Sequence, residues 1–125
     1  MNTVVNSLGN FGNTDFQTQL IYLEELYSTI NESSDGDTLK SYFINDNYNC
    51  LEYNDSPTIM HKYGARVSYY HDVGIVLDDN NPYIIIVLTN GANNGSNCGQ
   101  NGGKSSSSSV TELSKKIYKL HKALS

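Results

Sequence analysis

The feature that most constrains this chain is a run of three strand-like segments between Pro57 and Thr89. The last of them, Tyr83 to Thr89 (YIIIVLT), is continuously apolar and too short for a helix, so it is typical of a central strand buried on both faces. Val67 to Leu77 alternates between two faces, which indicates a second strand. Thr58 to Tyr63 follows a turn signal and completes the set. Because the connections are short, we expect an antiparallel three-stranded meander.

Helical periodicity lies on both sides of this run. Apolar residues recur at three- and four-residue spacing from Asp15 to Ile30, and Asp37 is positioned to cap a short second helix that ends before Asn45. Ser109 begins a final segment whose apolar stripe is made by Val110, Leu113, Ile117, Leu120 and Leu124. The sequence therefore predicts an α+β fold for residues 1–125 as a single unit, with two N-terminal helices and a C-terminal amphipathic helix packed on the meander.

Two segments lack such periodicity. Met1 to Asn13 is rich in Asn and Gly, which favours a loop or a frayed terminus. Residues 90–109 hold glycine, asparagine and serine but not one large apolar side chain, so they cannot bury enough surface to offset the entropy of ordering. We expect a flexible loop there.

Charge and cysteine content exclude several classes of function. The net charge is −5 with eight basic residues, so a nucleic-acid-binding surface is not supported. No apolar run approaches the ~20 residues of a membrane span, and the first 30 residues lack the pattern of a signal peptide. Cys50 and Cys98 show no zinc-ligand spacing, nor do the three histidines, so neither a metal nor another cofactor is predicted. The two cysteines are expected to be free thiols, although a disulfide between them stays open.

The order of motifs from about Thr14 to Leu124 resembles the C-terminal part of class A β-lactamases and related penicillin-recognising serine hydrolases. A strand ending in HKYG is followed by a strand carrying HDVGIV, by PYIIIVLTNG and by an amphipathic helix. In that family the first strand carries a Lys-Thr/Ser-Gly triplet, which Lys62 and Gly64 match while Tyr63 departs from it. The resemblance implies a β-lactamase-like transpeptidase fold, in which the meander is part of a larger five-stranded sheet.

The resemblance also implies roles for individual residues. Lys62 would help to hold the substrate carboxylate, and the backbone N–H of Ala65 would donate to an oxyanion hole. Gly64 would let the substrate approach the backbone closely. Tyr63 stands where the family has a smaller hydroxyl residue, so that substrate hydrogen bond would change. Arg66 is a further candidate for the substrate carboxylate, although a surface role is the alternative.

One acidic residue matches the family without a predicted catalytic role. Asp72 is interpreted as structural. It follows His71 directly, and side chains adjacent along a strand point to opposite faces, which argues against a dyad of these two residues.

The missing motifs matter as much as those present. The family's nucleophile lies in Ser-x-x-Lys, which occurs nowhere in this chain, and no glutamate precedes Glu24 in the place of the deacylating residue. The resemblance therefore implies the C-terminal portion of a serine hydrolase, acting in β-lactam hydrolysis and antibiotic resistance or in peptidoglycan peptide acyl transfer. The nucleophile would lie outside this chain, which alone would be inactive. Family members are typically secreted or displayed on the bacterial cell surface.

The sequence offers two alternatives to this function. A non-catalytic module with the same fold could bind a cell-wall or peptide ligand through Lys62 and Arg66. A phosphate-binding loop at Gly103-Lys104-Ser105 fails on spacing, because its first glycine would have to stand at Cys98. If the family's N-terminal strands are absent, Tyr83 to Thr89 would also expose an unpaired edge that invites self-association.

Overall fold

A computed structural model describes residues 2–6, 16–44, 49–66, 69–79, 81–90 and 109–125. Within these ranges the order of elements is β1 (Asn2–Asn6), α1 (Phe16–Glu32), α2 (Gly36–Ile44), β2 (Ile59–Arg66), β3 (Tyr69–Val76), β4 (Tyr83–Asn90) and α3 (Ser109–Leu124). The predicted α+β class is confirmed. The helices begin and end within two residues of the positions predicted from periodicity, as expected for element boundaries.

The strands form one sheet in the order β1-β4-β3-β2. Its antiparallel part is the predicted meander: β2 pairs with β3 from Ile59↔Val76 to Arg66↔Tyr69. β3 then pairs with β4 from Val76↔Tyr83 to Tyr69↔Asn90. β2 therefore lies at one edge of the described sheet, with a strand on one side only.

β1 corrects two expectations about the N-terminal segment and the sheet edge. Asn2–Asn6 was expected to be loop but pairs in parallel with β4, from Asn2↔Tyr83 to Asn6↔Val87. The segment contains Thr3, Val4 and Val5, whose branched side chains favour strands. The unpaired edge predicted at Tyr83 to Thr89 is therefore wrong along residues 83–87, and with it the reason for expecting self-association there.

Helices cover the sheet on both faces. α3 packs on one face with a buried cluster of Cys50, Leu51, Ile59, Tyr70, Val76, Tyr83, Ile85, Val87, Val110 and Ile117. α1 and α2 pack on the other, with a buried cluster of Leu23, Met60, Val73, Ile75, Ile84, Ile86 and Leu88. Alternate residues of β4 thus belong to opposite clusters, and its side chains from Tyr83 to Leu88 are at most 4% exposed. The prediction of a central strand buried on both faces is confirmed.

Cys50 is disulfide-bonded and fully buried, so the expectation of a free thiol at this position is wrong. The chain's other cysteine, Cys98, lies outside the described residues, as do residues 91–108 of the predicted flexible loop. None of the described helices is both long enough and apolar enough to cross a membrane.

Candidate functional site

Lys62 lies in the middle of the edge strand β2 and points towards the α1 side of the sheet. Its neighbours along the strand, His61 and Tyr63, belong to the opposite face, as the strand alternation requires. The ammonium group is exposed; it donates a hydrogen bond to the Tyr63 carbonyl oxygen at 2.9 Å and lies 4.8 Å from the centre of the Tyr63 ring. Lys62 is therefore a solvent-facing cation on a rigid strand.

A pocket of about 370 Å³ opens beside this lysine, between α1 and the strands. Its walls combine the amide of Gln19, aromatic and aliphatic groups and the Lys62 cation. The described residues that line it are Gln19, Tyr22, Lys62, Tyr63, Gly64, His71, Val73 and Leu88. Three of the predicted site residues, Lys62, Tyr63 and Gly64, thus meet at one cavity.

Gly64 leaves open space at the mouth of this pocket. A Cβ atom placed on it would meet no atom within 4 Å, so packing within the described part of the chain does not require a glycine there. Gly74, on the neighbouring strand, is the opposite case, because a Cβ atom there would lie 2.5 Å from the carbonyl oxygen of Met60. The unused space at Gly64 suits a ligand that approaches the strand closely.

Tyr63, the departure from the family triplet, packs on the α3 face of the sheet although it also reaches the pocket. Its ring stacks on that of Tyr70, with centroids 6.1 Å apart and planes 14° from parallel. The ring is half-buried and contacts the apolar cluster under α3. This packing gives Tyr63 a structural role that a threonine or serine would not fill.

Ala65 and Arg66 form the last two positions of β2, where they pair with Tyr70 and Tyr69 of β3. The structure describes the backbone at both positions but not their side chains. The predicted oxyanion donor is a backbone group on an edge strand, where alternate N–H groups point away from the neighbouring strand. The assigned roles of Ala65 and Arg66 stay predictions.

His71 joins the pocket from β3 and was not predicted as a site residue. Its Nδ1 atom lies 3.1 Å from the backbone nitrogen of Thr89, which can only donate a hydrogen bond. Nδ1 therefore accepts, and the neutral imidazole carries its proton on Nε2. The alternation of β3 predicts that His71 shares a face with Val73. Nothing in the sequence indicates that α1 and β2 form a pocket at that face.

On the opposite face of the sheet, Asp72 is fully buried at the centre of a polar cluster. His61 Nδ1 lies 2.7 Å from Asp72 Oδ1, and the Tyr70 hydroxyl donates to Oδ2 at 3.0 Å. The backbone N–H of Cys50 also donates to Oδ2, at 3.3 Å. Burial raises the pKa of Asp72, and the hydrogen bonds from His61, Tyr70 and Cys50 oppose that rise.

The predicted separation of His71 from Asp72 agrees with this geometry, because the two side chains serve opposite faces of β3. The partner that sequence reasoning missed is His61. It stands opposite Gly74 in the strand register, two positions from Asp72, and so forms a diagonal cross-strand pair with it. Strand alternation was visible in the sequence, but the register that brings these two residues together was not.

A second polar contact joins the end of α3 to the segment between β3 and β4. His121 Nε2 donates to the Asn81 carbonyl oxygen at 2.8 Å, and its ring packs against that of Tyr83, with centroids 4.2 Å apart and planes tilted by 38°. Lys122 forms an ion pair with Asp78 at 3.3 Å. These contacts fasten the helix to the sheet and lie outside the Lys62 pocket. Among the described residues, no three His, Cys, Asp or Glu side chains gather where they could hold a metal ion.

A family model described as the β-lactamase enzyme family matches residues 8–120, which is nearly the whole chain. No curated protein and no solved structure gives a significant match. The family match covers both the strand that carries Lys62 and the three described helices, α3 up to residue 120.

Proposed function

Because this chain belongs to the β-lactamase enzyme family, we propose that it supplies the lysine-bearing strand of an acyl-transfer site in a serine hydrolase of that family. In this proposal Lys62 binds the carboxylate of a β-lactam or of a peptidoglycan peptide. The nucleophilic serine lies outside this chain, because the sequence contains no Ser-x-x-Lys. The observation that carries the proposal is the exposed ammonium of Lys62 at the mouth of a pocket.

The polar groups around the pocket suit an anionic ligand. Lys62 provides a full positive charge, and the His71 imidazole forms part of the pocket wall. The cation favours a carboxylate, whose oxygens accept several hydrogen bonds.

The apolar walls and the open glycine suit the rest of such a ligand. Val73 and Leu88 offer aliphatic surface, and Tyr22 offers an exposed ring at the outer wall. Gly64 lets the ligand lie close to the backbone, so that the N–H of Ala65 would act as the oxyanion donor. Arg66 would add a second cation for the same carboxylate.

The test is intact-mass analysis of the purified chain after incubation with a penicillin, together with turnover of a chromogenic cephalosporin. We expect no covalent adduct and no turnover, but reversible binding of the penicillin that Lys62→Ala weakens at least tenfold. Binding is followed by amide chemical shifts in a titration monitored by NMR. A stable adduct on a serine of this chain would show that the nucleophile had been placed wrongly, and binding unchanged in Lys62→Ala would exclude the role of the lysine.

A second candidate is a non-catalytic binding module with the same fold. The observation that favours it is that no serine or cysteine is among the described residues that line the pocket. Such a module would bind a peptide or cell-wall ligand without any chemical step. A peptidoglycan-derived peptide that binds more tightly than the penicillin, with loss of affinity in Lys62→Ala, would favour this function over that of an acyl-transfer partner.

A further inference from the structure

The buried Asp72 carboxyl gathers groups from three separate segments of the chain. His61 comes from β2, Tyr70 from β3 itself, and the Cys50 N–H from the connection that precedes β2. Asp72 and the His61 side chain are both completely buried. A buried carboxyl surrounded in this way ties its donors together, because moving any one of them away would leave polar atoms unpaired out of reach of water.

This cluster makes contacts with both neighbours of Lys62 in β2. His61 immediately precedes the lysine and bonds Asp72 directly. Tyr63 immediately follows it and stacks on Tyr70, whose hydroxyl donates to the same carboxyl. Both neighbours of Lys62 are therefore fixed on the α3 face, and the alternation of a strand leaves the lysine side chain no direction other than the pocket.

These contacts matter because β2 is an edge strand in the described sheet. Its ladder to β3 is the only one it has there, and a shift of one residue would exchange its two faces. Lys62 would then lie on the α3 face of the sheet, away from the pocket. Backbone hydrogen bonds alone tolerate such a shift, whereas the bond from His61 to Asp72 does not.

We propose that Asp72 is a positioning residue for Lys62. It acts from the opposite face of the sheet, through His61 and Tyr70, to hold the register of β2 and so to keep the ammonium in the pocket. The consequence for ligand affinity rests on the proposed function of Lys62. The positioning itself does not, because it is measured without any ligand.

The experiment follows the Lys62 side chain by NMR in the full, isotope-labelled chain. In the native protein we expect nuclear Overhauser effects from its methylene protons to the methyl groups of Val73 and Leu88, which line the same pocket. In Asp72→Asn we expect these signals to fall at least threefold, while cross-strand signals between β3 and β4 persist. The persistence shows that the sheet is still folded, so the loss reports the position of the lysine and not global unfolding.

Asp78→Asn is the matched control. Asp78 is also a mostly buried acid in a polar cluster, but its side-chain partners in the described part of the chain are Lys122 and His121, both in α3. Its removal should leave the Lys62 signals at native intensity. If the Lys62 signals fall equally in Asp72→Asn and Asp78→Asn, their loss reports general destabilisation of the protein, and the proposal is overturned.

If Asp72→Asn does not fold, Tyr70→Phe decides the question. It removes one hydrogen bond to Asp72 and keeps the ring on which Tyr63 stacks, so we expect an intermediate loss of the Lys62 signals. Native intensity in this variant, or in a folded Asp72→Asn, would contradict the positioning role.

Affinity for a penicillin, measured on the same proteins, separates this proposal from the proposed function. With both correct, Asp72→Asn and Lys62→Ala weaken binding to a similar extent. If Lys62→Ala leaves binding unchanged while Asp72→Asn still displaces the lysine, the proposed function fails and the positioning role stands.

Discussion

The two faces of the sheet are built differently. On the α3 face the helix buries five residues, and the interface includes a fully buried carboxyl, a disulfide-bonded cysteine and hydroxyl-to-carbonyl bonds from Thr111 and Ser114 to the segment before β2. On the other face, α1 fully buries Leu23 alone. Ile21, Tyr22 and Tyr42 are more than half exposed there, and the pocket lies at this layer.

This difference indicates that the α3 face supports the sheet and that the α1 face holds the candidate ligand site. The α3 face combines apolar packing with polar groups that all require a defined geometry, which makes it resistant to local opening. The helices of the α1 face bury fewer described residues than α3 does, and this face holds the exposed cation. β2 belongs to both, because His61 and Lys62 are neighbours in sequence yet serve opposite faces. Substitutions at such neighbouring positions test the contrast directly.

The largest contrast is expected between His61→Ala and Lys62→Ala. Removing His61 leaves the buried Asp72 carboxyl without its nearest partner, which costs about 3–5 kcal/mol of unfolding free energy. Removing the exposed Lys62 changes that free energy by about 0.5 kcal/mol or less. Urea unfolding of both variants measures the difference. Similar losses would show that the two faces of β2 contribute alike to stability.

Reduction of the disulfide at Cys50 should destabilise the α3 face by about 2–4 kcal/mol. The cross-link restricts the unfolded chain, and Cys50 also packs in the core cluster beneath α3. Thermal unfolding with and without a reductant measures the effect. The control is Cys50→Ala, whose unfolding should not respond to the reductant; a response there would assign the effect to another cause.

A pair of glycine substitutions gives a smaller contrast on neighbouring strands. Gly74→Ala forces a Cβ atom against the Met60 carbonyl and should cost about 1–3 kcal/mol. Gly64→Ala meets open space and should leave stability unchanged or raise it by about 0.5 kcal/mol, while it weakens penicillin binding at the pocket. Melting temperatures and the NMR titration give both quantities. A destabilising Gly64→Ala would contradict the open space seen here.

The smallest effect concerns pH and Tyr53, a neighbour of Tyr118 on the α3 side. Burial, with a contribution from Tyr118, raises the pKa of Tyr53 to about 12 from an ordinary 10.0. As pH rises from 10 towards 12 the unfolded chain loses this proton first, so the folded state becomes less stable across that interval. Its hydroxyl is buried without a hydrogen-bond partner in the part of the chain that the structure describes.

Tyr53→Phe should therefore change stability by about 0.5 kcal/mol or less at pH 7, and it should flatten the decline at alkaline pH. Urea midpoints between pH 8 and 11 provide the comparison. A decline as steep as that of the native chain would assign the alkaline loss to other groups, such as Tyr83, whose pKa is also raised by burial.

Local patterns in the sequence were sufficient for most of the fold. The apolar run of β4, the alternation of β3 and the stripe of α3 each depend on residues within a few positions of one another, and each element was found where it was predicted. β1 was missed because its five residues carry little pattern of their own. Their strand conformation depends on pairing with β4, about 80 residues later in the chain.

The candidate site was predicted only in part, and by resemblance to a family. Lys62 and Gly64 are the first and last residues of the triplet that resembles the family's, and both line one pocket. His71, and the bond between His61 and Asp72, depend on strand register and on where α1 lies, neither of which a sequence states. The polar cluster is the kind of feature that sequence reasoning overlooks, since its members look like isolated polar residues until the register is known.

The parallel pairing of β1 with β4 has a consequence for the order of folding. The meander joins strands close in sequence, whereas Asn2 and Tyr83 must meet across 81 residues, so closing that contact costs more chain entropy. We expect β2, β3 and β4 to associate early and β1 to add last. The strand bearing Lys62 is then in place before the sheet is complete. If this order is correct, the amide hydrogens of β1 should exchange with solvent sooner than those of the meander.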